Sequence, residues 1–130
     1  MLFTIHILLS SVLLGVILVT QFVSYPMFLK VDRNNFPNYH MNYTFYISKI
    51  VLPLMILELF LVIEMLVNSY TIYSLVSIIL VSVIWLSTFL IQVPLHNKIS
   101  EKYCETKIKT LISSNWIRTF AWLTKLIVLF

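Results

Sequence analysis

The chain has 130 residues, of which 60% are hydrophobic and only 11% charged. A soluble domain is about 45–50% apolar and about 25% charged, so this composition points to lipid. One glycine leaves no Gly-rich phosphate loop, and one cysteine, Cys104, excludes an internal disulfide or a multi-cysteine metal site. The net charge of +4 is no nucleic-acid signal, because most basic residues flank apolar runs and none forms a patch interleaved with aromatics.

Four apolar segments follow in chain order. The first covers about 2–25. It has no positively charged start and no small-x-small cleavage pattern, so it is expected to stay as an anchor. Tyr25-Pro26 should close it, because proline disfavours helical geometry at the residue before it. A polar, aromatic stretch with Lys30, Asp32 and Arg33 comes next. The second segment covers about 42–67, with Pro53 expected to kink it. Asn68-Ser69-Tyr70 reads as a tight turn. The third covers about 71–93 and is rich in Val, Ile and Leu; at that length it is a membrane helix rather than a strand. Pro94 should end it. The polar stretch from His96 to Thr110 has room for a short interfacial helix, with Ile99, Tyr103 and Ile108 on one face. The fourth segment covers about 111–130. The fold expected is therefore one all-α domain over 1–130, a four-helix transmembrane bundle with the lipid bilayer as its main partner.

Lys30 and Arg33 lie in the first loop and Lys98, Lys102, Lys107 and Lys109 in the third, while the second loop has no basic residue. The positive-inside rule places both basic loops in the cytoplasm and both termini outside, with Lys125 near the outer interface.

Polar groups inside a membrane are costly, at about 2.5–3.5 kcal/mol for an ionisable one at a helix centre, and they mark function. His6, Ser10, Ile17, Gln21 and Ser24 form one stripe at helical spacing. Ser74, Ser77, Trp85, Thr88 and Gln92 form a second, and Asn115, Arg118, Thr119, Trp122 and Lys125 a third. These stripes should turn inward as a polar seam, the Ser, Thr and Gln members acting mainly as glue between helices. Glu58 is the one acid deep in an apolar run. It either pairs with Arg118 or is neutral; depth argues against the pair, with Glu58 about 24 Å and Arg118 roughly 10 Å from the basic end.

His40 and His96 fall at the ends of the second and third segments on the basic side. Tyr25, Gln92, Asn115, Trp116 and Arg118 fall at similar depth. Two imidazoles at one level can relay protons or hold a metal or haem iron. No HExxH motif, no His pair at i, i+4 and no carboxylate pair accompanies them, so a four-ligand metal site has no support. The residues leave the cofactor open. His40 and Glu58 share a helix face but lie about 27 Å apart, too far for one small site.

The pieces Tyr25-Pro26, Phe36-Pro37-Asn38-Tyr39-His40, Pro53-Leu54-Met55 with Glu58, Trp85-Leu86-Ser87-Thr88, Gln92-Val93-Pro94-Leu95-His96 and Asn115-Trp116-Ile117-Arg118-Thr119 with Trp122 cover nearly the whole chain. In these it resembles an uncharacterised family of small bacterial four-helix membrane proteins, and more distantly it is similar to the anthrone-oxygenase-like membrane family. The resemblance implies a bacterial inner-membrane location and puts weight on His40, His96, Asn115, Trp116 and Arg118 as a site.

Three functions follow as expectations. One is an oxidoreductase- or oxygenase-like enzyme acting on a lipophilic small molecule. In it His40 and His96 transfer protons or ligate metal, Arg118 stabilises an oxyanion, and Tyr25, Gln92, Asn115 and Trp116 bind the substrate. The second is a non-catalytic assembly or binding subunit that docks a membrane partner. The third is a small transporter or channel component that dimerises, with Glu58 in its path.

Overall fold

The computed structural model describes residues 1–130 and is all-helical. Four long helices account for nearly all of it: α1 (Leu2–Phe28), α2 (Phe36–Asn68), α3 (Ile72–Glu101) and α4 (Glu105–Leu129). They run up, down, up and down through short connections, as a simple antiparallel bundle does. Each helix packs on its chain neighbours, and α4 closes the ring against α1.

The first three helices are long and apolar enough to cross a membrane. The fourth, the shortest, has 25 residues, about 37 Å at 1.5 Å per residue. Its lower hydropathy comes partly from Asn115, Arg118, Thr119 and Lys125, all buried. The usual order of burial is thereby reversed. Large apolar side chains such as Phe60 (66% exposed), Leu90 (71%) and Ile127 (66%) cover the outside, where lipid replaces water as their solvent. Fourteen polar or charged residues lie buried between the helices.

Two apolar clusters hold the bundle. Leu9, Leu13, Ile17, Met55, Ile84 and Trp122 pack its middle. Tyr25, Phe28, Phe36, Ile99, Ile108 and Leu111 plug the end that carries the basic loops. Local chemistry sets the helix starts. Pro37 sits in the first turn of α2, where the missing N–H costs no helical bond. Thr71 and Ser74 form a reciprocal capping box at the start of α3, with each side-chain oxygen accepting from the other residue's backbone N–H at 3.2 and 2.9 Å.

Both prolines expected to end helices are instead passed through. α1 continues past Pro26 to Phe28, and α3 past Pro94 to Glu101. The reason is a single π-helical turn ahead of each proline, Thr20–Ser24 and Thr88–Gln92. A wider turn absorbs the missing proline N–H without breaking the helix. In both helices a threonine stands six residues before the proline, and its hydroxyl donates to the carbonyl four residues back, at 2.9 Å for Thr20 and 2.8 Å for Thr88. The polar stretch after Pro94 is helical as a direct continuation of α3. Likewise α2 begins at Phe36, so His40 belongs to its first turns.

At the basic end, Lys109 and Glu105 form an exposed i, i+4 pair at 2.8 Å. The hydrogen bond from Lys109 holds the Glu105 carboxyl below its ordinary value, and Glu105 raises Lys109 in turn. The depressed carboxyl means that whatever the pair contributes is present above the ordinary Glu range and is lost as pH falls. Both groups are fully solvated, where such pairs contribute little. Glu105→Gln should therefore leave the thermal unfolding midpoint in detergent unchanged.

Candidate functional site

Seven residues from all four helices form one hydrogen-bonded chain at the basic end. Ser100 Oγ lies 2.6 Å from His40 Nδ1. His40 Nε2 lies 2.8 Å from His96 Nδ1. His96 Nε2 lies 2.9 Å from the Tyr25 hydroxyl. Arg118 Nη2 donates to that hydroxyl at 3.1 Å and to Asn115 Oδ1 at 2.5 Å, while Nε donates to Asn115 Oδ1 at 3.0 Å. Asn115 Nδ2 then donates to Gln21 Oε1 at 2.9 Å. Gln21 is itself fixed by Thr119 Oγ1 and by the Ile112 carbonyl.

Arg118 sets the direction of this chain, because a guanidinium only donates. The Tyr25 oxygen accepts from it, and the tyrosine proton has one protein acceptor in reach, His96 Nε2. His96 must then carry its hydrogen on Nδ1 and donate to His40 Nε2. His40 carries its own on Nδ1 and donates to Ser100. In this assignment both histidines are neutral and every hydrogen from Tyr25 to His40 has an acceptor. The two imidazole planes are within 23° of parallel with centroids 4.9 Å apart. With nitrogens 2.8 Å apart, that is a head-to-head hydrogen bond between nearly coplanar rings. Phe28 and Phe36 pack on His40, at 5.1 and 5.5 Å between centroids, and hold the pair in place. The facing nitrogens are engaged with one another, and no third His, Cys, Asp or Glu stands near enough to complete a metal site.

The chain ends in the wall of a cavity of about 360 Å³, within the range of about 300–1,000 Å³ usual for small-molecule sites. Tyr25, His96, Ser100 and Arg118 form its polar side. Leu13, Ile17, Val51, Met55, Trp85 and Trp122 contribute to its apolar walls. The rim residues Ser48, Leu52, Phe89, Val93 and Asn97 are exposed and all belong to α2 and α3. The opening therefore lies on the lipid-facing side of the bundle, between those two helices.

The other expected site residues fall outside this cavity. Asn115 holds Arg118 from behind. Gln92 is buried and donates to Ser114 Oγ at 3.1 Å, its own Oε1 unpartnered. Trp116 is not in the pocket at all. It stacks on Phe120 at 5.2 Å and meets Phe22 edge-on at 5.5 Å, on the outer face of α1 and α4.

Glu58 belongs to a second buried cluster nearer the other end, and its partner is not Arg118. Its carboxylate forms an ion pair with Lys125, the two side chains being 1% and 0% exposed. It also accepts from Ser10 Oγ at 3.0 Å and from Trp122 Nε1 at 3.1 Å. Lys125 donates further to Ser10 Oγ at 2.9 Å. The lysine expected at the outer interface is thus inside the bundle, because an uncompensated Glu58 would be worse placed than a paired one. His6 lies one turn before Ser10 on the same face, fully buried, with neither ring nitrogen bonded to protein. Trp122 joins the two clusters: its indole N–H binds Glu58 and its ring lines the cavity.

No family model, no curated protein and no solved structure matches this chain.

Proposed function

We propose that the protein is a small membrane enzyme of the oxidoreductase or oxygenase-like type, acting on a lipophilic molecule that enters from the bilayer between α2 and α3. The observation that carries this reading is the chain from Ser100 through His40 and His96 to Tyr25, ending in the wall of a lipid-facing cavity beside Arg118. Such a chain moves a proton without moving an atom far. When the Tyr25 oxygen takes a proton from a bound molecule, its own proton passes to His96. His96 passes one to His40, His40 passes one to Ser100, and the hydroxyl proton of the partly exposed Ser100 leaves to water at the basic end. Arg118 holds the negative charge left on the substrate oxygen, as a preorganised donor does in a low-dielectric site. The substrate that suits this chemistry is an enolisable ketone or a phenol with a large apolar body. Its deprotonated form is electron-rich and is the form that dioxygen oxidises.

The test is deuterium incorporation into a tricyclic enolisable ketone, anthrone, in liposomes containing the purified protein in heavy water, with oxygen uptake followed in parallel. Exchange well above that of protein-free liposomes is the expected result. Exchange at the protein-free rate overturns the proposal.

The two basic loops, at 29–35 and 102–104, would face the cytoplasm of a bacterial cell, with both termini outside. Cys104, the single cysteine, lies in the second of these loops and is partly exposed. A membrane-impermeant maleimide should label it in inside-out vesicles and leave it unlabelled in intact spheroplasts. The opposite pattern reverses the orientation.

A further inference from the structure

We infer that the cavity is built for a lipophilic anion, whose charged oxygen sits against Arg118 while its apolar body lies between α2 and α3. The inference rests on the cavity being the substrate site and specifies that the deprotonated form of its occupant is the one held most tightly.

The argument starts from a cation with no counter-ion. Arg118 is 6% exposed. Every partner it has is neutral: the Asn115 amide oxygen, the Tyr25 hydroxyl and, at 3.4 Å, the Thr88 hydroxyl. The chain has five acidic residues. Glu58 is taken by Lys125, and Asp32, Glu64, Glu101 and Glu105 are exposed at the ends of the bundle. No carboxylate of this protein compensates the guanidinium. A buried charge in a bundle is normally paired, since burying it alone is costly. The same protein obeys that rule closely at Lys125, which makes the exception at Arg118 informative.

The guanidinium also has an unused donor. Nη1 carries two N–H groups and makes one hydrogen bond, the long one to Thr88. Arg118 and Thr88 both line the cavity. An anionic oxygen there would take the spare N–H and find the Tyr25 hydroxyl and His96 on the same wall. The rest of the surface suits an apolar body, with Trp85, Phe89 and Tyr43 offering ring faces. A zwitterionic or cationic head would meet Arg118 with no acid to receive its positive group. Carboxylate and phenolate share the chemistry required.

The experiment measures binding, independently of turnover. The protein, in nanodiscs of zwitterionic lipid, is titrated with 1-pyrenebutyrate and separately with its methyl ester. Energy transfer from Trp85 and Trp122 to pyrene is read against empty nanodiscs. The acid should bind at least about tenfold more tightly than the ester, the size expected for one charge-assisted hydrogen bond. Arg118→Met should bring the two affinities together. Should that variant fail to fold, the acid–ester difference in the wild type still decides the matter. Leu52→Trp, which narrows the mouth, should weaken both. Equal binding of acid and ester overturns the anion inference but leaves a lipophilic substrate standing. Binding of neither overturns the cavity as a ligand site altogether. Competition by 1-naphthol should strengthen as pH rises through its own ionisation; competition that does not change with its charge overturns the anion inference.

Discussion

Replacing Lys125 by methionine should destabilise the bundle by about 3–5 kcal/mol, the usual result of removing one partner from a buried ion pair. The loss does not measure how favourable the pair is. It measures the cost of leaving Glu58 charged, or forcing it to take a proton, in a site where water does not reach. Glu58 is 1% exposed and accepts from Ser10 and Trp122 as well as from Lys125, so the damage spreads to α1 and to the Trp122 wall of the cavity. Glu58→Gln should be comparably harmful, since it strands Lys125. The double variant Glu58→Gln/Lys125→Met is the informative one. It removes both charges, keeps an amide oxygen for Ser10 and Trp122, and fills the lysine volume with an apolar chain. Its stability should return most of the way to wild type, giving a coupling energy of several kcal/mol. Unfolding followed by tryptophan fluorescence in a mixed-detergent titration reads all four proteins. If Lys125→Met is as stable as the wild type, the pair does not exist inside the bundle.

That pair marks the boundary of what the sequence disclosed. The helical stripes on the first, third and fourth segments were legible, because in a membrane the expensive residues must turn inward, and His6, Ser10, Gln21, Asn115, Arg118, Thr119 and Lys125 are all buried. Depth was legible too, but only from correct helix starts. Measured from Phe36 and Glu105, where α2 and α4 begin, Glu58 lies about 33 Å and Lys125 about 30 Å along their helices. That match names the partner. Depth counted from Asn42 argues against Arg118 but offers no other partner, because the positive-inside rule assigns Lys125 to the interface. A rule about loops does not apply to a lysine that lies on a polar stripe.

The prolines misled for a different reason. Pro26 and Pro94 look like helix ends because a regular α-helix cannot take them without cost. The π-helical turns that accommodate them were signalled only by a repeated spacing, Thr20 to Pro26 and Thr88 to Pro94. The consequence reaches the site. Helical continuation to Glu101 adds Ser100 to the face that carries His96, and it brings Ser100 onto His40. The common level of both histidines and the arginine is therefore legible in the sequence, but not the serine that ends their chain. The expectation that Trp116 lines the pocket rests on depth and on the resemblance. Depth fixes the level of a residue in the bundle and not its face, and Trp116 is offset from the stripe of Asn115, Arg118 and Trp122.

Tyr25→Phe should reduce deuterium exchange into the ketone by about 10²–10⁴-fold, the usual worth of a positioned acid–base group. The substitution removes one oxygen from the middle of the chain, between Arg118 Nη2 and His96 Nε2. It leaves the ring, and with it the packing against Phe28 at 5.6 Å, so the fold should survive. Arg118 keeps Asn115 and the spare N–H of Nη1, so 1-pyrenebutyrate should still bind. That combination, binding kept and exchange lost, separates a proton-transfer role from a structural one. His96→Asn tests the next link: an amide can bond to both neighbours, yet it does not take a proton at one atom while releasing one at another as imidazole does. Its exchange rate should fall in the same way. Ser100→Ala should matter much less, because Ser100 is partly exposed and water can replace its hydroxyl there. A graded series, severe at Tyr25 and His96 and mild at Ser100, is what a relay from buried Tyr25 to partly exposed Ser100 requires. Wild-type exchange in Tyr25→Phe would mean that the proton leaves the substrate by another route and that the chain only holds the helices together.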